Sequence, residues 1–221
     1  MTDATDLGEI VVVAKRPRKM TDIGYEQPEE VSENPDGGSA GTGGGFLTDE
    51  EVREEEKRQE RCAAQEFRNR LQSISSRNSK ESFSYILNRE GNTSITSPST
   101  ADGPVITAAE RSAVLNAYNI QSSEILGFAH NHPSSVYCNS QDLSTRGAEI
   151  NLNAYPSEND LNWAQNFLGN NPNINPATFS LFVVGCDNIM RQFEYSRLAE
   201  WRQRVSQPNP AKPPAMQADC G

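Results

Sequence analysis

Histidine is nearly missing from this 221-residue chain: His130 and His132 are its only two. Core-forming residues are also scarce, with 35% hydrophobic residues and a mean hydropathy of −0.69. A chain this poor in apolar side chains packs only part of its length, so one core domain with loose ends is expected. No run approaches the roughly 18 apolar residues of a membrane span. The start, Met-Thr-Asp-Ala-Thr-Asp, has neither the charged nor the apolar region of a secretory signal, so the default expectation is a cytoplasmic protein without a membrane partner. Basic residues are outnumbered, 20 against 30 acidic ones, and the net charge of −10 argues against nucleic acid as a partner. No Cys-x-x-Cys occurs. Cys62, Cys138, Cys186 and Cys220 lie far apart and read as isolated thiols, with Cys138 a minor candidate for a metal site.

What is present divides the chain in three. Residues 1–46 hold one β-like run, Glu9 to Ala14, then the basic Lys15 to Lys19 and a Gly-rich tract, Gly37 to Gly45, of flexible-linker composition. The β-like run resembles a strand that could be added to a partner's sheet edge, which makes it a site for a protein partner. Residues 47–205 carry the core domain, and residues 206–221 are Pro-rich and polar, expected to be a disordered tail.

Within the core domain, Thr48-Asp-Glu-Glu51 has capping-box spacing and opens a helix running to about Ile74. Its first half, Asp49 to Arg61, is nearly all charged and reads as solvent-exposed. Its second half carries one apolar stripe, Ala63, Phe67, Leu71 and Ile74. A hairpin follows over 82–96, a second capped helix begins at Thr107, and residues 125–133 form an apolar strand-like run that ends in the two histidines and Pro133. The stretch 134–155 is polar and without periodicity. Ser157 then caps a helix with Asp160 in its first turn, and residues 178–195 read as a second hairpin. This is an α/β domain.

The run at 125–133 ends in His130-Asn-His132-Pro133. Side chains alternate along a strand, so both imidazoles share one face, and proline ends the ladder. Two such imidazoles suit Zn²⁺, which in catalytic sites takes three protein ligands and keeps a position open. The third ligand is either Asp160 or Asp142. Asp160 is favoured because a carboxylate in a helix's first turn is held ionised by the helix dipole. A base is also required, and Glu81 at the head of the first hairpin strand is the best placed, with Glu90, Glu110 and Glu124 as exposed alternatives. Ser157 has a certain role as helix cap and a second, conditional one as hydroxyl donor to a tetrahedral oxyanion.

A glutamate on an early strand, then His130-Asn-His132-Pro133, then Pro156-Ser157-x-x-Asp160-Leu161, resembles the JAMM/MPN metallopeptidases over roughly residues 60–197. The resemblance implies a three-layer fold, a mixed sheet flanked by helices. It also implies zinc held by His130, His132 and Asp160, water activated by Glu81, Ser157 at the oxyanion, and a protein or peptide as substrate. The departure is in spacing. The family has far fewer than the 27 residues that separate His132 from Asp160 here, and nine separate His132 from Asp142.

The leading expectation is therefore a zinc-dependent hydrolase of peptide or isopeptide bonds. A catalytically silent MPN-like binding or scaffold module is the alternative from another class. The N-terminal composition adds a third, the metal-dependent payload of a bacterial effector or toxin secreted by a non-classical route.

Overall fold

The computed structural model describes residues 11–15 and 48–220. The Gly-rich tract and the basic residues 16–19 lie outside the described residues. Elements follow the order β1 (Val11–Lys15), α1 (Asp49–Leu71), β2 (Ser82–Arg89), β3 (Asn92–Ile95), β4 (Ser99–Thr100), α2 (Ala108–Ala117), β5 (Ile125–Asn131), α3 (Ser134–Tyr137), α4 (Leu143–Leu152), α5 (Glu158–Asn170), β6 (Ser180–Val184), β7 (Met190–Glu194) and α6 (Leu198–Val205). The fold is mixed α/β.

The strands form one sheet in the order β1-β3-β2-β5-β6-β7, with β4 paired to β2. Every pairing is antiparallel except β5 with β6, where His130 stands beside Val183. A parallel neighbour requires a long crossover, and the stretch from α3 to α5 supplies it. β2 and β3 are joined by a tight turn in which both Glu90 and Gly91 have positive φ, the backbone that matches the twist of a hairpin.

Apolar residues cover both faces of the sheet. On one, Ala63, Ala64, Phe67 and Leu71 of α1 pack on Ile86, Ala129 and Phe182. On the other, Leu161, Ala164 and Leu168 of α5 and Val114 of α2 pack on Tyr85, Phe128 and Val183. Each fully buried Leu, Ile, Val or Phe among them stabilises by about 1.5–3 kcal/mol, so the stripes read from the sequence account for where the helices sit. Among the described residues no helix is long and apolar enough to cross a membrane.

Several sequence expectations are corrected. The first half of α1 is not wholly exposed: Val52, Gln59 and Glu60 are buried, and Gln59 accepts a hydrogen bond from Thr93. The N-terminal β-like run does not stay outside the fold, because Val11–Lys15 adds to the chain's own sheet edge beside β3. The stretch 134–155 contains two helices that its weak apolar pattern did not announce.

The four cysteines are not isolated thiols. Cys62 pairs with Cys220 and Cys138 with Cys186, at sequence separations of 158 and 48. Pairings that distant are set by tertiary approach, which spacing does not encode.

Residues 206–220 lack regular structure yet are not a free tail. Tyr155 donates to the Ala211 carbonyl, Arg191 to that of Pro213, Met216 N–H to that of Met190, and Arg58 to that of Asp219. A Pro-rich strand has few donors of its own, but its carbonyls can be held by donors from the domain. Arg191, 1% exposed, is also held by both oxygens of Asp187, and that carboxylate pairs with Lys212 of the tail.

Candidate metal centre

Three side chains meet at the C-terminal end of β5. His130 and His132 leave the strand on the same face, and Ser157 starts α5 opposite them. Its hydroxyl accepts from Asp160 N–H, while Asp160 Oδ2 accepts from Ser157 N–H and Oγ, a complete capping box. The cap fixes where Asp160 points.

The resulting triangle is compact. His130 Nε2 and His132 Nε2 are 3.2 Å apart, and Asp160 Oδ2 lies 3.2 Å from the first and 3.4 Å from the second. All three residues are buried. A tetrahedral ion with bonds of ~2.0–2.1 Å has ligand atoms about 3.3–3.4 Å apart, whereas six-coordinate neighbours at that bond length stand closer, at about 3.0 Å. The described group is of a size and donor type that could hold a metal ion.

Tautomers support the same reading. His132 Nδ1–H donates to the Asn153 carbonyl at 2.9 Å, which turns the Nε2 lone pair of the neutral ring into the triangle. His130 Nδ1 has no hydrogen-bond partner among the described residues. His132 Nε2 and Asp160 Oδ2 thus face each other as electron-pair donors, and His130 Nε2, whose tautomer no Nδ1 partner fixes, completes the triangle. The field is visible in the charge states. Burial opposes charge on both Asp160 and His132. The two imidazoles outweigh it and hold the Asp160 carboxyl well below the usual carboxylate range, while Asp160 raises His132 above the usual histidine value.

Glu81 sits beside this triangle, buried, and its charge is felt at His132. Its Oε2 accepts from Ile106 N–H at 2.8 Å and its Oε1 from the Tyr137 hydroxyl at 3.0 Å. The carboxylate is therefore held from two sides. Behind Asp160 lies Arg111, 3.7 Å from Oδ1 and stacked over the rings of Trp163 and Phe128. The cation over two aromatic faces is stabilised while it faces the carboxylate.

The structure brings Glu81, His130, His132, Ser157 and Asp160 together and leaves the competitors elsewhere. Asp142 caps α4, accepting from Thr145 N–H and Ser144 Oγ, and is exposed. Glu90 lies in the hairpin turn, Glu110 caps α2, and Glu124 pairs with Arg89. Cys138 is spent in a disulfide.

Sequence reasoning missed three contributors. Arg111 had a signal, a cation spaced three residues from the buried Val114 on the inner face of α2. Tyr137 and the Asn153 carbonyl had none, because they lie in the stretch that lacked periodicity. The Ser157 hydroxyl is donated to Asp160 in this structure, so its place is the cap.

Comparison of the chain with known families, with characterised proteins and with solved structures found no match in any of the three.

Proposed function

We propose that the chain is a zinc-dependent hydrolase of peptide or isopeptide bonds, with a three-layer arrangement of the JAMM/MPN kind. The observation that carries the proposal is the triangle of His130 Nε2, His132 Nε2 and Asp160 Oδ2, with edges of 3.2–3.4 Å. Two imidazoles and one carboxylate are a zinc donor set, the edges are of a size that one ion could span, and three protein ligands leave a position for reactants.

His130, His132 and Asp160 would hold the ion. Zinc, when bound, supplies Lewis acidity that polarises a carbonyl and makes water nucleophilic near neutral pH. The chain's own residues do the rest. Glu81, fixed by Ile106 N–H and the Tyr137 hydroxyl, takes a proton from the attacking water and returns it to the leaving nitrogen. Asn153 keeps His132 in the tautomer that offers Nε2. Arg111 compensates part of the Asp160 charge from behind.

The decisive experiment measures zinc and hydrolysis together. Purified chain should contain about one zinc per molecule, and Glu81→Gln should retain it while losing about 10²–10⁴-fold in hydrolysis of peptide and isopeptide substrates. Protein with intact His130 and His132 that takes up no zinc would sink the proposal.

One observation favours a second reading, a silent binding or scaffold module: the Ser157 hydroxyl is committed to Asp160 rather than free for an oxyanion. Zinc uptake without any activity that Glu81→Gln abolishes would select that module. As for location, two disulfides within one chain suit an oxidising compartment better than the cytoplasm, which supports an exported protein of the effector type.

A further inference from the structure

The segment from Ser134 to Tyr155 carries two of the groups that hold the centre, and they are joined to each other. The Asn153 carbonyl accepts from His132 Nδ1–H, and the Asn153 amide donates to the Tyr137 carbonyl at 2.9 Å. Tyr137 in turn donates its hydroxyl to Glu81. The helix between them, α4, buries none of its residues, so apolar packing does little to fix it.

The unit is anchored at its end by Tyr155 in the core and at its start by the Ser135 N–H bond to the Asn78 carbonyl, and between them one covalent link ties it to the sheet. Cys138, next to Tyr137, is bonded to Cys186 in the turn after β6. Two residues before Cys186 stands Val184, whose carbonyl accepts from His132 N–H at 2.9 Å. A closed ring results: His132 to Asn153, Asn153 to Tyr137, Tyr137 to Cys138, across the disulfide to Cys186, and through Val184 back to His132. The other disulfide, Cys62–Cys220, joins α1 to the tail and has no member in this ring.

We propose that the Cys138–Cys186 disulfide is a positioning element of the metal centre, and that the centre is fully assembled only in the oxidised chain. The proposal rests on the metal-centre reading. In the reduced chain a dithiol reductant has taken the bond apart: its thiolate attacks one cysteine sulfur and releases the other cysteine, its second thiolate attacks the reductant sulfur of the mixed disulfide and releases the first cysteine, and two cysteine thiols and one reductant disulfide remain. Asn153 and Tyr137 then lose their covalent link to the turn after β6, which loosens the His132 bond to Asn153 and the Tyr137 bond to Glu81. Such a chain is competent outside a reducing compartment and idle within it.

The test uses the full chain in three forms: oxidised wild type, C138S/C186S and C62S/C220S. Zinc affinity is read by competition with a chromophoric chelator, and amide exchange over 134–155 is read on metal-free protein. We expect C138S/C186S to bind zinc about 10–100-fold more weakly, the usual effect of losing the partner of a ligating histidine. Exchange over 134–155 should rise, while C62S/C220S stays within about twofold of wild type in both readouts.

Unchanged affinity and exchange in C138S/C186S overturn the proposal, and so does an equal loss in both variants, which would mean general destabilisation. If C138S/C186S does not fold, a phosphine titration of wild type serves, with each disulfide followed by mass. Affinity must then fall with loss of Cys138–Cys186 and be indifferent to Cys62–Cys220. Wild type that binds no zinc overturns the metal-centre reading and the proposal with it. Unchanged exchange beside intact zinc binding overturns the disulfide's role alone.

Discussion

Asp160 and Glu60 are both buried carboxyls, exposed by 4% and 5%, yet their surroundings drive them in opposite directions. Asp160 faces two imidazoles and is held ionised. Glu60, on the inner face of α1, has no hydrogen-bond partner at Oε1 among the described residues, and burial pushes it up to about 8, with a Ser180 hydrogen bond only partly opposing. Glu60 also needs room made for it. A Cβ added at Gly127 would come within 3.2 Å of Oε1 and 2.7 Å of the Ser180 carbonyl. The carboxyl borders a cavity of about 710 Å³ at the end of the sheet remote from the histidines, lined also by Thr93, Ser180 and Gln192. Burial alone does not decide the charge of an acid. The partners at the buried end do.

The comparison can be broken first at Asp160. Asp160→Ala should reduce zinc affinity more than about 100-fold, since it deletes one of the three proposed ligands, and chelator competition reads the loss. Retained binding would mean that Oδ2 is only a helix cap.

A second effect, on stability rather than on zinc, is expected at Glu60. Its folded-state value lies above the ordinary 4.5, so its stabilising contribution is complete below pH 4.5. Between 4.5 and about 8 the unfolded chain has released the proton and the folded chain keeps it. Stability therefore falls as pH rises through that window, by a few kcal/mol in all. Urea unfolding at pH 5 and pH 9 should show this loss in wild type and not in Glu60→Gln. A wild-type profile as flat as that of the variant would mean that Oε1 has a partner after all.

The smallest effect belongs to Asp142→Ala. The Asp142 carboxyl is lowered to about 2 by Ser144 and Thr145, which makes it an effective cap and nothing more. Zinc affinity should stay within about twofold of wild type, because Asp142 sits at the opposite end of α4 from Asn153 and touches none of the three converging side chains. A large loss would return Asp142 to the ligand set.

Much of the site was readable because its parts have local periodicity. Alternation along β5 put His130 and His132 on one face, and the capping spacing of Ser157 and Asp160 announced α5 and oriented the carboxylate. Glu60 was also readable in principle, since it lies one turn before Ala63 on the stripe that continues through Phe67 and Leu71. Its charge led it to be grouped with the exposed half of the helix. Tyr137, Asn153 and the disulfides were not readable. Asn153 acts through a backbone carbonyl that every residue has, Tyr137 lies on a single helical turn with no amphipathic pattern, and cysteine pairing depends on approach in space.

The sequence by itself determined the two helical stripes, the strands that carry the histidines, and the residue types fit for a metal. These follow from repeats of two and of three to four residues, which side-chain direction converts into faces. Only the tertiary structure brought Asp160 rather than Asp142 beside the histidines, joined Cys138 to Cys186, tied the Pro-rich tail to the domain, and set one buried acid among imidazoles and another where burial raises its carboxyl to about 8. Those outcomes depend on which side chains meet across tens of residues, and that is fixed by how the helices and the crossover pack on the sheet.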